Sequence, residues 1–139
     1  MKTQMKTLVA VILGVPFIFI GVEHFLSPEL FDVIVPAYLG FPRFWTLASG
    51  VVEVLLGIGI ILPPWRRWAA RFLAMFLVCV YLANLNMWLN DIPFNGMLLG
   101  QKAHVIRLMV QLVLISVVLW LAEWTGRTAR KATETGHED

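Results

Sequence analysis

The chain has 139 residues, the length of one domain, with 59% from the hydrophobic set and only 14% charged, and its mean hydropathy is +0.77. A soluble domain this small needs more polar residues to cover its surface, so a soluble globular enzyme and a disordered chain are excluded. The net charge of +2 arises from basic residues scattered among apolar segments, which argues against a nucleic-acid partner, and the single cysteine, Cys79, excludes an internal disulfide or a two-cysteine relay.

A membrane-crossing helix needs about 20 mostly apolar residues. The first such segment runs from about Leu8 to Leu26. Lys2 and Lys6 precede it as in a signal peptide, but no small-x-small cleavage site follows, so an uncleaved helix is expected. Next comes Ser27 to Pro36, where Ser27 and Pro28 suit the start of a short helix and Pro36 its end. Its apolar residues alternate with acids, as in a piece lying at the membrane surface. The second span runs from about Phe44 to Leu62 and stops at Pro63-Pro64. The third runs from about Trp68 to Leu89, with Cys79 a small apolar filler deep within it. Asp91 to Lys102 forms a loop marked by Pro93, Gly96 and Gly100, and the fourth span runs from about His104 to Ala122.

The expected fold is all-α: a four-transmembrane-helix bundle over residues 1–124, with a short interfacial helix between helices one and two. Residues 125–139, polar and mixed in charge, read as a disordered cytoplasmic tail. Eight of the 11 Lys and Arg residues lie at the two ends and in the middle connection, which predicts cytoplasmic termini and outward loops after helices one and three. The tryptophans sit near predicted helix ends, as an interfacial belt would.

Polar groups inside a bilayer are costly, so their positions on each helix carry information. At about 100° per residue, Thr46, Ser49, Gly50, Glu53 and Gly57 share one face of the second helix. His104, Arg107 and Gln111 share a face of the fourth. Tyr81, Asn84 and Trp88 align on the third, with Asn86 and Asn90 turned away, and His24 lies on a stripe with Gly14 and Gly21 on the first. All these polar groups fall in the outer half or at the centre, which predicts an outward-opening cup formed by His24, Glu53, Tyr81, Asn84, His104, Arg107 and Gln111. Ser49, Gly50 and Gly57 read as packing residues, and Asn84 and Gln111 suit either helix packing or a site. A lone mid-bilayer carboxylate is either protonated or paired, and Arg107 is the expected partner of Glu53 at the floor of the cup. His24, His104 and Glu53 are zinc or iron ligand types, but no H-x-x-x-H or E-x-x-H spacing occurs, so no metal is expected. Nucleophilic triads, phosphate loops and dinucleotide fingerprints are absent; Gly57-Ile58-Gly59 lacks the preceding strand.

The run Gly21-Val-Glu-His24-Phe25-Leu-Ser-Pro28, continuing through Phe31, Ile34, Pro36 and Pro42, then Ser49-Gly50-Val-Val-Glu53-Val-Leu-Leu-Gly57, and Ala83-Asn84-Leu-Asn86, resembles the DoxX-like family of small bacterial four-helix membrane proteins. The resemblance covers about Leu8 to Leu121. It implies a four-helix bundle in the bacterial plasma (inner) membrane and a link to thiosulfate:quinone oxidoreductase, whose small membrane subunits pass electrons to quinone. The positions that carry over are His24, Glu53 and Asn84. The chain has neither a large outward catalytic domain nor a cysteine-based centre, so a redox role requires a donor or catalytic site supplied by a partner subunit.

Three functional readings follow. The first is an accessory subunit of a membrane redox system that holds a quinone or other lipophilic small molecule, with no intrinsic cofactor. The second is a structural or assembly subunit docking a larger partner, its polar stripe serving as helix glue. The third is a small transporter, for which four helices would require a homo-oligomer. Membrane lipids are partners in every case.

Overall fold

The computed structural model describes the backbone of residues 2–135 and the side chains of residues 4–123. The described chain is all-helical: α1 (Lys2–Leu26), α2 (Glu29–Asp32), a 3-10 turn (Ala37–Leu39), α3 (Pro42–Ile61), α4 (Arg66–Leu89) and α5 (Gln101–Thr135). Four segments, Gln4–Leu26, Pro42–Ile61, Arg66–Leu89 and Gln101–Glu123, are long and apolar enough to cross a membrane, as expected of a multi-pass membrane protein. Each is a helix because only a helix satisfies every backbone group within one apolar segment.

The boundaries differ from the sequence reading in instructive places. Helix α2 stops at Asp32, short of Pro36, and Ser27 makes no side-chain cap; Pro36 instead precedes the 3-10 turn. Helix α5 continues through residues 125–135, which were expected as part of a disordered tail. That stretch has no proline, and its Ala, Arg, Lys and Glu residues favour helix even without apolar periodicity, among four threonines that favour it less. Residues 136–139 of the expected tail lie outside the described residues.

Helices α1 and α3 pack closely through glycines spaced seven apart. A Cβ on Gly14 would lie 2.6 Å from the Gly57 carbonyl oxygen, and one on Gly21 would lie 2.8 Å from that of Gly50. Small residues that bring backbones this close are how membrane helices gain dispersion contacts without a hydrophobic driving force. Gly50 and Gly57 are thus packing residues, as their helix face implied.

At the α3–α4 turn, Arg66 folds back over the end of α3. Its Nε donates to Ile60 O and its Nη2 to Ile61 O, both at 2.8 Å, satisfying carbonyls that the helix end leaves free. The core lies in this half of the bundle: Ala10, Leu13 and Phe17 of α1 meet Ile60, then Ala69, Ala70, Leu73, Ala74 and Leu77 of α4, and Val118, Leu121 and Ala122 of α5. Beyond Leu77 no α4 residue is buried until Met87. The other half therefore does not close on itself.

Candidate functional site

The open half encloses a cavity of about 590 Å³ walled by α1, α3, α4 and α5. The segment after α1 roofs it with Phe31, Ile34 and Leu39, joined by Phe94 from the α4–α5 loop. Three contacts hold the roof down. Arg43 Nε donates to Asp32 Oδ2 at 2.8 Å, Asn86 Nδ2 donates to Ile34 O at 3.2 Å, and Phe31 stacks on the His24 ring with centroids 3.7 Å apart. Phe94 is delivered by a tight Asn95-Gly96 turn in which both residues have positive φ, closed by reciprocal bonds between Phe94 and Met97. The Phe94 ring meets Phe31 edge-on at 6.0 Å. The cup expected to open outward is thus capped by an apolar roof. An amphipathic surface segment buries its apolar side, and here that side faces the bundle.

Five of the predicted site residues line this cavity together: His24, Glu53, Asn84, Arg107 and Gln111. Glycines build the centre of the site. A Cβ on Gly50 would fall 2.7 Å from His24 Cβ, and one on Gly21 would fall 3.0 Å from Glu53 Cβ. Each glycine clears the space its neighbour's polar side chain occupies, and so His24 and Glu53 meet. His24 Nδ1 is 2.8 Å from Ile20 O and 3.7 Å from Glu53 Oε2. A carbonyl can only accept, so Nδ1 carries the proton and donates the hydrogen bond to Ile20 O. Glu53 Oε2, in a side chain almost wholly buried, has no hydrogen-bond partner.

The expected Glu53–Arg107 ion pair is not formed among the described residues: Glu53 meets only His24 within ion-pair distance. The face of α3 that carries Glu53 also carries Gly50 and Gly57, and that face is turned to α1. Arg107 instead directs Nη1 to Met87 Sδ at 2.9 Å and lies over the Phe94 ring at 5.7 Å. A thioether and a ring face are weak partners for a guanidinium with five N–H donors. Gln111 is committed to the fold, donating from Nε2 to Leu77 O at 2.6 Å and tying α5 to α4. Asn84 makes no hydrogen bond among the described residues.

Two predicted members are elsewhere. Tyr81 is half-buried outside the cavity lining, and His104 is buried in a stack with Trp88, the rings 5.5 Å apart and nearly parallel. Cys79, expected deep in its helix, is exposed and lines the cavity edge. Among the described residues, no three His, Cys, Asp or Glu side chains are grouped to hold a metal. The sequence reading missed Thr46 as a site group: it is 2% exposed, lines the cavity, and its Oγ1 has no partner. It also missed Phe31 and Phe94; the Asn95-Gly96 pair was the readable signal for the turn that places Phe94.

Fold and site together define a four-span membrane protein with a roofed, mostly apolar cavity and unpartnered polar groups on its wall. The chain belongs to the family described as Domain of unknown function (DUF8561), whose model matches residues 13–122. No curated protein and no solved structure matches it.

Proposed function

We propose that this protein is an accessory subunit of a membrane redox system and that it holds a quinone, or a lipophilic molecule of similar head group, in the cavity. The observation that carries the reading is Glu53: a buried carboxyl with an unpartnered oxygen, on the wall of a cavity of about 590 Å³. Burying such an oxygen without a hydrogen bond costs several kcal/mol, a cost that a ligand hydroxyl can offset. A two-ended head group suits the wall, with one oxygen accepting from Arg107 or Asn84 and the other donating to Glu53 when reduced. A volume of this size is usual for sites that enclose a small organic molecule. The resemblance to DoxX-like proteins points the same way, with electrons supplied by a partner subunit in the bacterial plasma membrane.

Titration of the detergent-purified protein with a tailless dimethoxyhydroquinone, kept reduced under anaerobic conditions, tests this. Saturable binding is expected, reduced at least tenfold in Glu53→Gln and in Arg107→Gln while both variants stay folded. Absence of saturable binding to the wild-type protein overturns the reading, and a stoichiometric co-purifying polypeptide with no quinone would favour the assembly role instead.

The same reading places both termini in the cytoplasm, from the distribution of basic residues. With Cys79 replaced by Ala, an impermeant maleimide added to whole cells should label Leu98→Cys in the α4–α5 loop. Labelling only after the cells are opened reverses the orientation.

A further inference from the structure

We infer that the cavity is reached sideways, through the seam between α3 and α4, and that its occupant is a tailed lipid whose chain lies in that seam. The inference rests on the cavity being a ligand site, as proposed above, and adds the ligand's shape and route.

Above the cavity, the roof is apolar and pinned at three places by the Asp32–Arg43 pair, the Asn86–Ile34 bond and the His24–Phe31 stack. Below it, the alanine-rich core is closed. The α3–α4 side is different. On α3, Trp45, Ala48 and Val52 recur at helical spacing and line the cavity, and Trp45 and Val52 are also exposed. On α4, Cys79 and Leu82 do the same, both lining the cavity and both exposed. Cavity-wall residues this exposed are not sealed behind a neighbouring helix. No α4 residue from 78 to 86 is buried, so this stretch of α4 is not packed into a closed wall.

The chemistry of the gap is graded. Its outer part, from Trp45, Ala48, Val52, Cys79 and Leu82, is apolar, while the cavity also carries groups that want hydrogen bonds, Thr46, Glu53 and Arg107. A solute arriving from water would meet the roof. A lipid arriving in the bilayer would meet an apolar slot with polar groups at its inner end. That arrangement fits a compact polar head carrying one long apolar chain.

The test compares a tailless dimethoxybenzoquinone with the same ring bearing a decyl chain, both measured by equilibrium dialysis against protein in lipid nanodiscs. The wild-type protein should bind the tailed probe more tightly. Ala48→Phe and, from the opposite wall, Cys79→Phe should each weaken the tailed probe at least tenfold and leave the tailless one within about twofold. In the wild-type protein, the bound tailed probe should also slow alkylation of Cys79 by N-ethylmaleimide, while the tailless one should not. Equal binding of both probes by all three proteins overturns the seam. So does a tail-specific loss confined to Ile20→Phe, which would move the route to the gap between α1 and α5. Failure of both probes to bind the wild-type protein is the separate failure of the site itself.

Discussion

The same four helices make a closed half and an open half. The cluster that holds Leu73 is built of alanines, larger aliphatic residues and Phe17, and Leu73, Ile60, Val118 and Leu121 are all fully buried. Around Glu53 the neighbours are His24, Thr46 and an aromatic roof, and space is left over. Alanines let α4 approach its neighbours in the first half. In the second, the chain between α1 and α3 sends Phe31 and Ile34 toward the bundle axis, and α4 stands away. A bundle with only its closed half would be a simple membrane anchor; the loosely packed half is where chemistry can be hosted.

The contrast can be broken from either side. The largest effect belongs to the closed half. Leu73→Ala should lower stability by about 3 kcal/mol, because its tightly packed surroundings cannot collapse into the hole. Val80→Ala, on the cavity wall, should cost less than about 1 kcal/mol by the same measure, thermal unfolding in detergent, since the space beside it is already open. Equal losses would mean that the two halves are packed alike. A smaller effect of opposite sign belongs to Glu53. Replacing the buried carboxyl, whose Oε2 has no hydrogen-bond partner, by the amide in Glu53→Gln should raise stability by about 1 kcal/mol, whereas a structural ion pair would make the same change destabilising. An unfolding midpoint below that of the wild-type protein would show that the carboxyl holds the bundle together.

The spans were legible because apolar runs of membrane length admit few other structures. Pro63-Pro64 marked the turn between α3 and α4, although the helices extend a few residues beyond the apolar limits, taking in Arg66 because its side chain serves the preceding helix. The gathering of polar groups in one half was also legible from helix faces. What a wheel cannot give is the neighbour opposite. Glu53 was assigned to Arg107 on charge, yet the glycines that share its face bring it to α1 and His24. Tyr81 lay on the same line as Asn84 and still missed the cavity, because a face drawn on one helix does not say where its neighbour stands away. Thr46 was placed on the small-residue face of its helix but not in the site, because a hydroxyl in such a stripe looks the same whether it is satisfied or not. The cavity's roof came from Phe31 and Ile34, of a segment expected to lie at the membrane surface, and from Phe94 of the α4–α5 loop.

The glycine contacts between α1 and α3 have a mechanical consequence. Gly14 against Gly57 and Gly21 against Gly50 fix the two helices in register, because a slide by one residue would put side chains where backbone atoms now touch. His24 and Glu53 are therefore carried on a single rigid jaw. On the opposite side of the cavity, Gln111 ties α5 to α4 through the Leu77 carbonyl, so those two helices form a second wall that is linked as a pair and joined to the alanine-rich core at its far end.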